Sequence, residues 1–333
     1  MNPYEDNQNK LQKLTVDAED SHRKLTVDAE DSHQVLTAAD VTISGDHLVR
    51  ATARGGHVKL AALRAEGTVS KLVAIHDLSP LMAAAAGRMA MATQLLAADL
   101  KDETSTITSI LRCNGPVQGM TMVADCYSRV RGVVKNPHVS TAEIRPGKLA
   151  VGAAVGKGEL TVIKDLGLRE PYVGTVELLT GEIAEDFAYY LLTSEQIPGV
   201  LALGVKMNDR GVSYAGGLLV QLMPGHTEED LEYIEKRDGG GFPEITFLLE
   251  EGFSPAQIID LFMGDPELTY LDCRPISYHC PCNQARMERN LLTLGRSELQ
   301  SLAADPAGIE LCCHFCGKKY HFAQAEISGL LSR

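Results

Sequence analysis

Six of the chain's eight cysteines lie between residues 273 and 316, and four of them form two short groups, Cys280-Pro281-Cys282 and Cys313-His314-Phe315-Cys316. Thiolates are ligands for borderline-soft divalent ions, and a Cys-x-Cys with a Cys-x-x-Cys lets one tetrahedral ion take four sulfurs. The pattern predicts one zinc ion per chain, held by Cys280, Cys282, Cys313 and Cys316. Cys273, Cys312, His279, His314 and His321 are rivals in the same stretch. Because Cys-x-x-Cys is the commoner bite, Cys313 and Cys316 are assigned, Cys312 is left as a spare thiol, and the three histidines are read as surface or supporting groups. Gly317 suits the tight turn after the last thiol. A module of about 50 residues is at the edge of what folds without a staple. A structural zinc worth about 10–16 kcal/mol supplies what such a module lacks. Two chemistries stay open on spacing alone: a closed structural site, or a redox site in which oxidants attack thiolates and neighbouring cysteines collapse into disulfides.

The rest of the chain decides what such a site would control. With 333 residues and 44% hydrophobic content it has room for one large domain and a small one. The net charge of −13 argues against broad adhesion to nucleic acid or anionic lipid, which needs clustered Lys and Arg. The absence of Trp and the 5% aromatic content weaken any base-stacking platform. No run of about 18 apolar residues predicts a membrane span, and Met1 to Asp6 lacks the basic start of a secretory signal, so a cytoplasmic protein is expected. Clustered rather than dispersed cysteines fit a reducing compartment.

Residues 1–45 contain a tandem repeat, KLTVDAEDSH at Lys13 to His22 and again at Lys24 to His33. Acids outnumber bases nine to four there, so a mobile acidic extension is expected. Residues 46–225 read as an α+β core domain rich in strands with few helices. Alternating runs at His47 to Ala53 and His57 to Ala62 flank Gly55-Gly56 as a hairpin. Pro80 opens a helix from Leu81 to Leu96 that is apolar nearly all round and must be buried, with Met82, Met89 and Met91 as core. Strands are predicted near Ser105 to Arg112, Gln118 to Val134, Leu160 to Gly167, Tyr172 to Leu179, Val200 to Lys206 and Ser213 to Met223. A helix over Glu182 to Ser194 is expected to carry Glu182, Glu185 and Asp186 on a charged side. Residues 226–272 form a linker of short helices: one capped at Thr227, one at Ile245 to Glu250, and one after Ser254-Pro255. Residues 273–333 are the small zinc-binding domain.

No catalytic constellation stands out upstream. Gly152 to Gly158 lacks the four-residue glycine spacing and the Ser or Thr of a phosphate-binding loop, and is read as a hairpin turn. Neither a Gly-x-Ser-x-Gly nor a His-Glu-x-x-His occurs.

Several motifs occur together in one order: Lys164-Asp165-Leu166-Gly167-Leu168-Arg169-Glu170-Pro171-Tyr172, Glu185-Asp186-Phe187-Ala188-Tyr189-Tyr190, Thr193-Ser194-Glu195-Gln196, Ala215-Gly216-Gly217, Gln221-Leu222-Met223-Pro224-Gly225, and the cysteine pattern ending Lys319-Tyr320-His321-Phe322. On these, the chain from Asp46 to about Ser328 resembles the redox-regulated heat-shock holdases, the thirty-three-kilodalton chaperonins. The resemblance implies a chaperone rather than an enzyme, one that binds unfolding client proteins under oxidative and heat stress. It implies an inactive reduced form with zinc on the four thiolates, and an active zinc-free form with Cys280–Cys282 and Cys313–Cys316 disulfides that commonly forms a homodimer. The extension, Cys273 and Cys312 depart from the pattern, and Cys312 is placed to compete with Cys313. Two other readings are carried beside it. One is a zinc-ribbon nucleic-acid binder using Arg286, Arg289, Arg296, Lys318 and Lys319, and the other is a thiol oxidoreductase using Cys313 and Cys316.

Overall fold

The structure, a computed structural model, describes residues 38, 41, 43–140, 143–145, 148–265 and 267–331. The tandem repeat and most of the extension read at residues 1–45 lie outside the described residues. Where description becomes continuous, β1 (His47–Ala53) and β2 (Val58–Arg64) pair antiparallel around Arg54–Gly56, with Gly55 and Gly56 both at positive φ. Two helices follow, α1 (Glu66–His76) and α2 (Pro80–Ala97). Next come β3 (Thr106–Cys113), β4 (Gly119–Asp125), β5 (Arg129–Val134), the short pair β6 (Glu143–Arg145) and β7 (Lys148–Leu149), and α3 (Val151–Val155). The remainder of the core is β8 (Gly158–Asp165), β9 (Tyr172–Glu177), α4 (Ala184–Ser194), β10 (Gly199–Asn208) and β11 (Gly211–Leu222). Three helices, α5 (Glu228–Gly239), α6 (Ile245–Glu250) and α7 (Pro255–Met263), lead to β12 (Thr269–Pro275) and β13 (Ser277–Tyr278). The chain ends in α8 (Gln284–Leu292), α9 (Arg296–Ala303), β14 (Ile309–Cys312), β15 (Lys319–Phe322) and α10 (Gln324–Leu330). This is the α+β architecture expected.

Two sheets share α2 between them. One runs β10-β11-β2-β1-β12, antiparallel throughout; the other runs β13-β5-β4-β3-β8-β9, antiparallel except for the parallel β13–β5 edge. Of the residues in α2 only Pro80, Arg88 and Leu96 escape full burial, as a helix apolar on most faces requires. Met82, Met89 and Met91 are core. Gly87 lets α2 come this close, since a Cβ there would meet Val205 and Val69 at 2.9 Å.

The five-stranded sheet is buried on both faces, and its period of two shows it. Leu48, Ala61, Leu63 and Leu219 face α2. Val49, Ala51, Leu60, Ala62, Leu218 and Val220 face the other way, against Ile234, Ile245, Leu248, Ile258, Ile259 and Phe262 of α5 to α7. The marginal helices therefore gain their stability from a sheet face. Contact is close: a Cβ on Gly204 of β10 would lie 2.7 Å from Thr246 Cγ2 of α6.

Two local readings are corrected. Residues within Gly152 to Gly158 make the short helix α3 and then Gly156 at φ 69°, because Gly152 N–H is held by Glu182 Oε1 at 3.0 Å; a hairpin turn was expected. Asp186 is not on a solvated charged side. It is fully buried and accepts N–H groups from Leu179, Thr180, Gly181 and Ile183 at 2.7–3.2 Å, closing the turn before α4. Cys273 sits in β12 opposite Val49, within the core sheet and not beside the other thiols.

Candidate metal centre

The path into the thiol module is bolted to both sheets. β12 pairs with β1, Ile276 N–H bonds Asp46 O at 3.2 Å, β13 adds to β5, and His279 N–H bonds Val130 O at 2.8 Å. Cys280 follows at once. Cys282 ends the loop, where Asn283 Oδ1 accepts the Arg286 N–H at 2.8 Å and starts α8. The other pair is carried by the β14–β15 hairpin. Cys313 N–H bonds Lys318 O at 2.9 Å, and Cys313 O accepts from Cys316 N–H at 3.3 Å and Gly317 N–H at 2.8 Å. Gly317 has φ 69°, the conformation that the tight turn needs. Around these sit Met287, Leu291, Leu299, Phe322, Ile327 and Leu330, a small core of the module's own.

The four sulfurs of Cys280, Cys282, Cys313 and Cys316 all lie within 4.8 Å of one another. Cys280 Sγ is 3.7 Å from Cys313 Sγ, and Cys282 Sγ is 3.3 Å from Cys316 Sγ. Four sulfurs at about 2.3 Å from one centre have edges of about 3.8 Å, so the set fits a tetrahedral ion. It is the only group of three or more metal-ligating side chains among the described residues. All eight cysteines are free thiols. Cys313 is buried and the other three are half-buried.

The electrostatics follow from that packing. Burial raises the Cys280 thiol and takes Cys316 up to about 11. Burial also works against ionising Cys282, but hydrogen bonds from the Tyr320 hydroxyl and the neighbouring thiols outweigh it and bring Cys282 down to about 7. Tyr320 donates to Cys282 Sγ at 3.0 Å. A dication held by the four would reverse the penalty, since coordination deprotonates thiols outright. The rivals stay apart: Cys312 is exposed, with its Sγ 3.4 Å from Gly317 O, and His279, His314 and His321 are exposed, His321 Nε2 meeting Ala307 O at 3.1 Å. Tyr320 and Tyr278 were missed from sequence. Tyr320 was legible in principle as an inward position of the alternating Lys319-Tyr320-His321-Phe322 strand beside a thiol hairpin.

Residues 46–323 match the family model described as Hsp33 protein. A 33 kDa chaperonin of Ruminiclostridium cellulolyticum is 41% identical over 287 residues, covering 86% of this chain and 98% of that protein. One from Caldanaerobacter subterraneus is 41% identical over 289 residues, with 86% and 98% covered. The crystal structure of a 33 kDa chaperonin from Thermotoga maritima superposes with a TM-score of 0.78 at 31% identity, covering 86% of this chain and 98% of that one.

Proposed function

The chain belongs to the Hsp33 family, and from that premise we propose that it is a redox-switched holdase that captures unfolding proteins and keeps them from aggregating. The observation that carries the reading is the placement of four thiols within 4.8 Å of one another, in a small module that follows helices covering an apolar sheet face. In this reading Cys280, Cys282, Cys313 and Cys316 hold one zinc ion in the reduced, inactive state. The ion supplies the cross-link that lets so small a core fold.

Oxidation removes that cross-link. In each pair two thiolates give up two electrons and join as a disulfide; one peroxide takes those electrons and two protons and leaves as two waters, and the dication is released. The resemblance to the family implies the pairs Cys280–Cys282 and Cys313–Cys316, neighbours in sequence at Cys-x-Cys and Cys-x-x-Cys spacing. Loss of the module frees residues 226–272 from one anchor, the marginal helices α5 to α7 detach, and the face of Val49, Leu60, Leu218 and Val220 becomes available to apolar client segments. The division of labour is then a core at 46–225, a releasable cover at 226–272 and a sensor at 273–333, with β12 threading the sensor's chain back through the core sheet. The active form is a homodimer, and its compartment is the cytoplasm, where thiols are kept reduced until stress. Among the described residues no helix is long and apolar enough to cross a membrane.

The chemistry is stoichiometric and the protein is not an enzyme. Neither the nucleic-acid nor the oxidoreductase reading gains an observation in its favour, and the net charge of −13 opposes the first. The test is light scattering from a heat-unfolding client at near-equimolar ratio. Oxidised, zinc-free protein is expected to suppress it and reduced, zinc-loaded protein is not; equal suppression by both sinks the switch.

A further inference from the structure

Two side chains of the six-stranded sheet grip the turn that carries Cys313 and Cys316. Tyr278 of β13 is 3% exposed, and its hydroxyl donates to the carbonyl of Phe315, the residue before Cys316. The same hydroxyl accepts the Gly132 N–H of β5 at 3.3 Å, with Gly132 O at 3.2 Å and His76 Nε2 of α1 at 3.5 Å completing its surroundings. A phenol has one proton to give, and of the two carbonyls in its reach, Gly132 O and Phe315 O, the nearer is Phe315 O, so that bond ties the thiol turn to the core sheet. Beside it, the Arg131 guanidinium of β5 lies 5.5 Å from the Phe315 ring centroid, in cation–π range. Arg131 makes no ion pair among the described residues. Burial disfavours its charge and Arg286 repels it, while Cys280, Asp125 and Cys313 favour it. A half-buried cation thus lies against the Phe315 ring of the thiol turn, with the Cys280 and Cys313 sulfurs and the Asp125 carboxylate within electrostatic range.

We propose that Arg131 and Tyr278 are positioning residues of the thiol cluster: through Phe315 they hold the Cys313–Cys316 turn on the core sheet and slow the cluster's loss of metal to an oxidant. The inference rests on the redox-switch reading and adds to it a part played by the core. Four thiolates around a dication carry a net charge of about −2, and two disulfides carry none. Arg131 is therefore attracted to the loaded module and indifferent to the oxidised one. The sheet grips one state and releases the other, which couples events at the sulfurs to the domain that the linker covers.

The experiment uses full-length, reduced, zinc-loaded protein under a fixed excess of peroxide, with released zinc read by a chromogenic chelator and amide exchange read by mass spectrometry. Arg131→Met and Tyr278→Phe are each expected to speed zinc release by about two- to tenfold, the worth of one cation–π contact or one hydrogen bond. Exchange should rise at residues 313–317 and stay unchanged in Pro80–Ala97. Added salt should accelerate release in the parent and much less in Arg131→Met, with Arg131→Lys intermediate. That salt signature separates an electrostatic hold from mere packing. Release at the parent rate in both variants, or full salt dependence retained in Arg131→Met, overturns the proposal. Should Tyr278→Phe also loosen Pro80–Ala97, the Arg131 variants decide. None of these readouts involves a client, so a protein that failed to switch as a holdase would refute the proposed function and leave this inference to be judged by its own rates.

Discussion

Arg54→Ala should unlatch the linker without touching a single thiol. Asp230, the N3 residue of α5, is buried at 3% side-chain exposure, and Arg54 Nε donates to it from the β1–β2 turn. Arg54 also lies over the Tyr233 ring, 4.6 Å to its centroid. Its pair with the exposed Glu229 adds little. Removing one partner of a buried pair costs about 3–5 kcal/mol. The low end applies, since Asp230 keeps His57 Nδ1–H at 2.8 Å and the Thr227 N–H and hydroxyl at 2.9 and 2.8 Å. With about 0.5–1 kcal/mol for the ring contact, the loss is about 3–4 kcal/mol, which opens the linker some hundred- to thousandfold more often, at about 1.4 kcal/mol per decade. Amide exchange on reduced, zinc-loaded protein measures it. Protection in residues 228–263 should fall by about two orders of magnitude or more, that in Pro80–Ala97 should hold, and zinc content should not change. Uniform loss across the core, or unchanged protection in the linker, would show that Arg54 is not the linker's latch.

Gly204→Ala places a methyl 2.7 Å from Thr246 Cγ2, an overpacking cost of about 1–3 kcal/mol that should fall on α6 and give client protection in the reduced state, read by light scattering. The Asp230 carboxyl is held below its ordinary value: burial works to raise it, but hydrogen bonds from Thr227, Arg54 and His57 outweigh that. Its folded value lying below its unfolded one, the linker stabilisation is fully present above about pH 4. Exchange in α5 should thus be the same at pH 7 and pH 5 after correction for intrinsic rates, and should rise only as pH falls below about 4. Cys282→Ser removes one of four sulfurs, and the module core of Leu291, Phe322 and Ile327 should lose protection while the two sheets keep theirs; a module equally protected without tight zinc binding would show that its own core suffices.

What the residues announced and what they concealed divide along physical lines. The four thiols, the buried Pro80–Ala97 helix and the capped linker helices were legible because each depends on local chemistry: ligand spacing, apolar coverage, a Thr227 or Ser254 cap. Asp186 was misread because a carboxylate that closes its own helix and turn looks, in one dimension, like a solvated one. Gly152 to Gly158 was misread because its short helix depends on Glu182, which is distant in sequence. The strand Thr269–Pro275 was missed as a strand because its pairing partner is β1, more than two hundred residues earlier. Tyr278 and Arg131 gave no signal, since both matter only through a sheet edge that brings β5, β13 and the thiol turn together.

In the proposed switch, loss of metal from the four thiols turns capture of clients on. The most direct measurement follows released zinc and suppression of client aggregation in one sample during peroxide treatment at raised temperature. Protection should be absent at the start and rise no earlier than zinc release, reaching its limit as release completes. Protection already present in the zinc-loaded protein, or complete zinc release with no protection, would contradict it.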